Sequence, residues 1–242
     1  VNLSTLAKNR LIFALDVSNR KEAEKYVRLL SDAVGCFKIG LELFIKEGPD
    51  IIKIVKENCS ASIFLDLKLY DIPATVRSAL ISAATHGVRF ITIHASGGQS
   101  ILQTATEVKS LALEVLAVTV LTSFSESELE DQGYKKNLSL GKLVLNRASE
   151  AEKFGCAGVV CSGEEVVSIK RKCSPGFKIV VPGIRPIWGE VRKDDQNRII
   201  TPKGAIVNGA DFIVVGRPIR DDKEPDVAAR KIVDEIESAI IF

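Results

Sequence analysis

The amino-acid sequence predicts an α/β chain folded as a (β/α)8 barrel (TIM barrel). Three observations carry this expectation. Short β-rich apolar runs alternate with stretches of helical periodicity, which implies parallel βαβ units. Eight such units fit within the 242 residues, a typical length for this barrel. The first apolar run ends in Asp16-Val17-Ser18, without the glycine-rich G-x-G-x-x-G turn that the other candidate, a doubly wound open sheet, usually carries.

The units follow in order. Run 11–16 (LIFALD) precedes a helical stretch at 20–33, and run 36–39 (CFKI) precedes one at 42–57. Run 62–68 (SIFLDLK) leads to 74–86, with Pro73 suited to the first helical turn. Runs 88–94, 113–121 and 158–161 lead to helical stretches at 98–109, 139–154 and 164–172. Run 178–181 (KIVV) leads to 203–208. Run 212–215 (FIVV) leads to 225–239, where Val227, Ile232, Val233 and Ile236 recur at helical spacing. The segment 183–202 (GIRPIWGEVRKDDQNRIITP) breaks this rhythm. Such a long polar connection is a lid, a binding loop or a disordered segment, and its place after the seventh strand favours a lid. With no interdomain linker or low-complexity tract, residues 1–242 are expected to form one barrel domain.

Composition excludes several classes. Apolar residues at 46% and charged residues at 26% describe an ordinary globular chain, not a disordered one. The 33 basic and 31 acidic residues leave a net charge of +2, so no nucleic-acid partner is expected. Lys170-Arg171-Lys172 is too short a basic run and reads as a solvated helix end. The longest apolar run, 111–124, is interrupted by Glu114 and falls short of the ~18 residues of a membrane helix. The N-terminus has no signal-peptide core, and the absence of Met means that an initiator Met is missing or was removed. Five cysteines without a C-x-x-C pair fit reduced, mostly buried thiols in a cytoplasmic protein, not a disulfide frame or zinc site. In that compartment the N-x-S sequons at Asn2, Asn58 and Asn137 carry no meaning.

The chemistry concentrates at the ends of the first three strands. Asp16, Lys38, Asp66 and Lys68 stand at or near the C-terminal ends of apolar runs. Asp66 and Lys68 are two apart and share a strand face, whereas Leu67 points away. Buried charge is costly unless paired, and barrel enzymes place catalytic groups at this end. A structural ion-pair cluster sealing the barrel mouth is the alternative. Asp71, just before the third helix, is a candidate second carboxylate. Gly216-Arg217 directly follows the eighth strand. The loops after strands seven and eight are the usual phosphate site of such barrels, glycine admits close backbone approach, and Arg clamps phosphate bidentately. Taken alone, Arg185 and Gln196 in the lid read equally well as solvated loop residues.

The segment DLKLYDIPAT (66–75) resembles the D-x-K-x-x-D signature of the orotidine 5'-monophosphate decarboxylase family. The similarity continues through Ala14-Leu15-Asp16, Phe37-Lys38-Ile39-Gly40, His94-Ala95-Ser96-Gly97-Gly98, Val120-Leu121-Thr122-Ser123, Val181-Pro182-Gly183-Ile184-Arg185, Gln196 and Val214-Val215-Gly216-Arg217-Pro218-Ile219. The D-x-K-x-x-D core is shared with related sugar-phosphate decarboxylases, while the DIPxT, PGIR and VGRPI segments narrow the match. The resemblance implies a stand-alone lyase of pyrimidine biosynthesis that converts orotidine 5'-monophosphate to uridine 5'-monophosphate (UMP) with no cofactor and no metal. It implies Lys68 as the donor of a proton to ring carbon C6, within an alternating network of Lys38, Asp66, Lys68 and Asp71. Asp16 and Lys38 would bind the ribose hydroxyls, and Thr122 and Pro182 would flank the pyrimidine. Arg185, Gln196, Gly216 and Arg217 would hold the phosphate. Asp71 and Thr75 would come from the neighbouring subunit of a homodimer, with Ile72 among the substrate-binding residues.

Two rival readings remain: a Mg²⁺-dependent sugar-phosphate decarboxylase of the same wider group, and a barrel that only binds a sugar phosphate or nucleotide. The first would share Asp66, Lys68 and Asp71, and the second would have no need of Lys68. His94 reads as a framework residue at the barrel mouth, since His86 and His94 do not make the usual zinc set. Ser96-Gly97-Gly98-Gln99-Ser100 is too short for a P-loop.

Overall fold

The computed structural model describes residues 2–134, 138–189 and 198–240. Eight strands close into a parallel barrel in chain order. They are β1 (Leu11–Ala14), β2 (Cys36–Gly40), β3 (Ser62–Leu69), β4 (Phe90–His94), β5 (Glu114–Val118), β6 (Gly158–Val160), β7 (Lys178–Val181) and β8 (Phe212–Val215). β8 pairs with β1 in the register Leu11↔Ile213, which closes the ring. Around it lie α1 (Leu3–Arg10), α2 (Arg20–Leu30), α3 (Leu41–Glu47), α4 (Asp50–Asn58), α5 (Pro73–Thr85), α6 (Gly98–Glu107), α7 (Glu126–Asp131), α8 (Leu140–Lys153), α9 (Val166–Lys172), α10 (Pro202–Val207), α11 (Arg217–Arg220) and α12 (Pro225–Ile240).

The strands read as continuous apolar runs because both faces are covered. Ile12, Ala14, Cys36, Phe64, Phe90, Leu116, Val180, Phe212 and Val214 form one buried cluster, inside the barrel. Their neighbours of opposite parity, such as Phe13, Phe37, Ile63 and Ile91, belong to the larger core shared with the helices. The lower interior is closed by Phe64, Phe90 and Phe212, whose rings meet edge to face at 6.0 and 5.2 Å. Arg89 stacks on Phe90 and pairs with Glu114 at 3.0 Å, which also takes Lys178 at 2.5 Å. That plug leaves the opposite, C-terminal end as the open mouth.

Where the elements differ from expectation, the backbone explains it. The predicted helix 42–57 is two helices, because Gly48 adopts φ +65° and Pro49 follows. A left-handed glycine ends a helix and proline cannot continue one. The sequence periodicity also passed over α1, which buries Ala7 alone, and the short α7 and α11. β5 stops at Val118, short of 121, and Thr119 instead donates to the Val160 carbonyl through both its N–H and its hydroxyl. Of the 183–202 segment, the two ends are described. Ile184 bridges Ile200, and the Arg185 N–H donates to the Ile200 carbonyl at 2.9 Å. Arg198 is buried against Glu165 and donates to the Leu121 carbonyl at 3.3 Å. Residues 190–197, and Gln196 with them, lie outside the described residues.

All five cysteines are free, and all but Cys59 are buried. Burial pushes the Cys156 thiol up to about 12 and that of Cys173 up to about 11, which disfavours the reactive thiolate. Among the described residues no helix is long and apolar enough to cross a membrane.

One glycine tests the barrel packing. A Cβ on Gly158 would lie 2.2 Å from the Lys178 carbonyl oxygen across the β6–β7 pair. Gly158→Ala is therefore expected to lose about 1–3 kcal/mol of stability, read as a lower denaturant midpoint by circular dichroism. An unchanged midpoint would mean that the two strands can separate at no cost.

Candidate active site

Side chains alternate along a strand, and this parity carries four charges into the barrel mouth. Lys38 continues the interior face of Cys36, and Asp66 that of Phe64. Lys38 Nζ lies 3.0 Å from Asp16 Oδ1 and 3.7 Å from Asp66 Oδ2. Lys68 Nζ lies 2.9 Å from the same Asp66 oxygen. The order of charges is thus Asp16, Lys38, Asp66, Lys68. The side chains of Lys38 and Asp66 are 10% and 13% exposed, against 32% for Lys68, so the middle of the chain is the driest. At these separations each opposite pair attracts by roughly 4 kcal/mol at an effective dielectric of 20.

Two backbone features make this arrangement possible. Gly40 lies against the network: a Cβ there would sit 2.9 Å from Asp16 Oδ1 and 3.1 Å from Lys38 Nζ. Beyond Leu65, the β3–β4 register shifts before pairing resumes at Leu69, and Lys68 adopts φ +50°. A non-glycine residue in this left-handed region costs on the order of 1–3 kcal/mol, a strain that clusters at functional sites. The irregularity takes the Lys68 N–H out of the regular ladder, and it donates instead to Thr92 Oγ1 at 2.8 Å. The Thr92 hydroxyl donates in turn to Asp66 Oδ1 at 3.0 Å.

Burial raises the Asp66 carboxyl, but the Lys38 and Lys68 ammonium groups and the hydrogen bonds from Lys68 and Thr92 outweigh it, so the group is held below the usual carboxylate value. For Lys38, burial works against the charged form, and Asp16 and Asp66 overcome it, leaving the ammonium above its ordinary value. Both therefore stay charged at neutral pH. His94, at the end of β4, is pushed down by burial and by the positive charges of Arg147 and Lys68. It is a neutral ring whose Nδ1 lies 2.6 Å from Ser96 Oγ.

The network forms part of the wall of a cleft of about 500 Å³, a size suited to a small-molecule ligand. Ala14, Phe64, Val118, Val160 and Val214 supply its apolar lining. The ends of β7 and β8 supply Pro182, Gly183, Arg185, Gly216, Arg217 and Arg220. Thr122 and Ser123 come from the loop after β5. Of the residues singled out in the sequence, Asp16, Lys38, Asp66, Lys68, Thr122, Pro182, Arg185, Gly216 and Arg217 thus meet in one cleft.

Asp71, Ile72 and Thr75 do not join them within this chain. All three are exposed at the start of α5, outside the cleft lining, and Asp71 Oδ1 accepts from the Ile72 N–H at 2.6 Å. The expected network of Lys38, Asp66, Lys68 and Asp71 draws Asp71 from the neighbouring subunit, so a single chain brings together its other three members, with Asp16 as the second carboxylate in ion-pair contact. Within its own chain Asp71 lies beyond the end of β3 and is exposed.

Sequence reasoning missed two contributors. Arg220 lines the cleft, donates to the Asp16 carbonyl at 2.7 Å and pairs with Asp221; its spacing from Arg217 on a common turn was the available signal. Thr92 was hidden as an ordinary strand residue, although it shares the interior parity of Phe90 and His94.

Comparison with known proteins agrees with this geometry. The family model described as Orotidine 5'-phosphate decarboxylase / HUMPS family matches residues 9–232. The chain is 48% identical to an orotidine 5'-phosphate decarboxylase of Desulfosudis oleivorans, covering 98% of this chain and 96% of the relative. It is 44% identical to that of Carboxydothermus hydrogenoformans, covering 96% and 97%. Among solved structures, an orotidine 5'-phosphate decarboxylase from Lactobacillus acidophilus superposes with a TM-score of 0.81 at 34% identity, covering 93% of this chain and 98% of the other. Sequence, barrel and cleft thus lead to the same place: this chain is a member of the orotidine 5'-phosphate decarboxylase family.

Proposed function

We propose that the chain decarboxylates orotidine 5'-monophosphate to UMP without a cofactor, as a homodimer in the cytoplasm. The observation that carries this reading is the desolvated Asp66 carboxylate held between Lys38 and Lys68, in a cleft that Arg185, Arg217 and Arg220 also line. The reaction needs two things: a stabiliser for the electron pair left on C6 and a proton to quench it. The bond from C6 to the carboxylate breaks, its electron pair stays on C6, and CO₂ leaves. The Lys68 ammonium faces the developing carbanion and stabilises it electrostatically. It then donates a proton from Nζ to C6 and is recharged from solvent. Asp66 and Lys38 fix Lys68 and transfer no proton themselves.

The remaining groups orient the substrate. Asp16 and Lys38 hold the ribose hydroxyls, and Thr122 and Pro182 bracket the pyrimidine. Arg185, Gln196, Gly216 and Arg217 receive the phosphate dianion, whose binding energy draws the 183–202 segment over the cleft. This places part of the work far from the reacting carbon.

Asp71, Ile72 and Thr75 serve the partner subunit's cleft in this reading. It is supported by the apolar surface beside them, with Tyr70 64% and Ile72 66% exposed.

Two experiments test the proposal. Wild type in excess EDTA is expected to convert orotidine 5'-monophosphate, followed by ultraviolet absorbance, and Lys68→Ala to lose at least about a hundredfold in kcat. Activity only on a sugar phosphate, and only with Mg²⁺, would move the chain to the metal-dependent branch; binding without turnover would leave a sensor. For the dimer, Asp71→Ala and Lys68→Ala should each be nearly inactive alone. When mixed and allowed to exchange, they should recover up to about a quarter of wild-type activity, since half the dimers carry one intact site of two. No recovery despite subunit exchange would put Asp71 in its own chain's cleft or in no cleft.

A further inference from the structure

We propose that Thr92 is the positioning residue of the site: its one hydroxyl locks the Lys68 backbone and the Asp66 carboxylate into a common geometry. This inference rests on the decarboxylase reading and deepens it.

A threonine hydroxyl has one proton to give and two lone pairs. Here the proton goes to Asp66 Oδ1 at 3.0 Å, and a lone pair takes the Lys68 N–H at 2.8 Å. Thr92 is 0% exposed and is not part of the cleft wall, so it does not touch substrate. Its two partners are consecutive members of the ion chain and belong to the same strand, β3. Thr92 stands on the next strand, β4, on the same interior face as Phe90, opposite the stretch where the β3–β4 register shifts.

The consequence is mechanical. Asp66 has two oxygens: Oδ2 serves Lys68 and Lys38, and Oδ1 is fixed by Thr92. Without that second anchor the carboxylate can rotate about its Cβ–Cγ bond, and the lysines lose a fixed counter-charge. Lys68 would lose its backbone anchor in the same step. Its φ of +50° is an intrinsically disfavoured conformation, held where a surrounding group enforces it. A buried N–H left without a partner adds to the drive to relax. Both effects move Lys68 Nζ away from the place where a proton must be delivered, and a small displacement of a reacting group is enough to slow a reaction strongly.

The test compares two substitutions of the same residue. Thr92→Val keeps the shape and removes the hydroxyl; Thr92→Ser keeps the hydroxyl and removes a methyl group. Thr92→Val is expected to lower kcat for orotidine 5'-monophosphate by about tenfold to a hundredfold, with KM and the Kd for UMP within about twofold of wild type. Thr92→Ser is expected to keep kcat within about threefold of wild type, even though it opens a methyl-sized gap. If Thr92→Val does not fold, Thr92→Cys replaces it, because a thiol is a weak donor at the same position, and the same loss of kcat is expected. Wild-type kcat in Thr92→Val or Thr92→Cys would overturn the proposal, as would equal losses in the serine and valine variants that follow their thermal stability. A wild-type protein that fails to turn over orotidine 5'-monophosphate would instead overturn the decarboxylase reading, and the control lane separates the two.

Discussion

The Asp66 carboxylate lies almost out of water between two ammonium groups, and the organisation of the mouth follows from holding it there. An isolated buried carboxylate would take up a proton. Asp66 instead stays charged because Lys38 and Lys68 reach one of its oxygens and Thr92 the other. Lys38 is in turn held as a cation by Asp16 and Asp66 together. No member is independent: removing one leaves a neighbour buried without compensation, which costs more than the pair contributed. Such a cluster is poor economy for stability and sound design for a reaction that must meet a developing negative charge with fixed positive charge.

The fold makes this arrangement attainable. Parallel strands deliver side chains to the interior at every second residue. The lower layers are filled with Phe64, Phe90 and Phe212, and the same parity one step higher turns polar at Lys38, Asp66 and Thr92. Regular geometry alone does not complete the site. β3 abandons its regular ladder and Lys68 takes a left-handed conformation, while Gly40 leaves room beside Asp16 and Lys38 that any side chain would fill. The buried Glu165–Arg198 pair, with its tie to the Leu121 carbonyl, fastens one end of the 183–202 segment to the loops after β5 and β6. The segment is thus anchored at the mouth that it is proposed to cover.

Much of this was legible in the residues. The eight strands could be read because each is a β-rich apolar run with a distinct break after it, and the charges at the ends of β1 to β3 stood out against that background. The helix 42–57 was read as continuous because its apolar period runs through Gly48-Pro49, where the backbone turns. The φ of Lys68 had no signal, because a lysine in the left-handed region breaks the ordinary preference of its residue type. Thr92 looked like one more β-branched strand residue, and its two hydrogen bonds exist only once β3 departs from register. Asp71 enters the network only through the family resemblance, as a residue of the neighbouring subunit, and one chain by itself does not display that contact. The family resemblance supplied the partner subunit, which lies outside anything that periodicity within one chain can encode.

The measurement closest to the central claim is the titration of Asp66 itself, followed by the ¹³Cγ chemical shift of the selectively labelled protein and assigned with Asp66→Asn. The account predicts that Asp66 stays ionised below about pH 4, where an ordinary aspartate is half protonated, because the lysines outweigh burial. A folded value below the unfolded one means that Asp66 stabilises the fold above that pH, and that this contribution fades as the pH falls through the folded value. For Lys38 the sign reverses: its contribution is present below its ordinary value and is lost as the pH rises through the raised one. A midpoint for Asp66 above the usual carboxylate value would contradict the account, since burial would then dominate and no fixed carboxylate would stand between the two lysines.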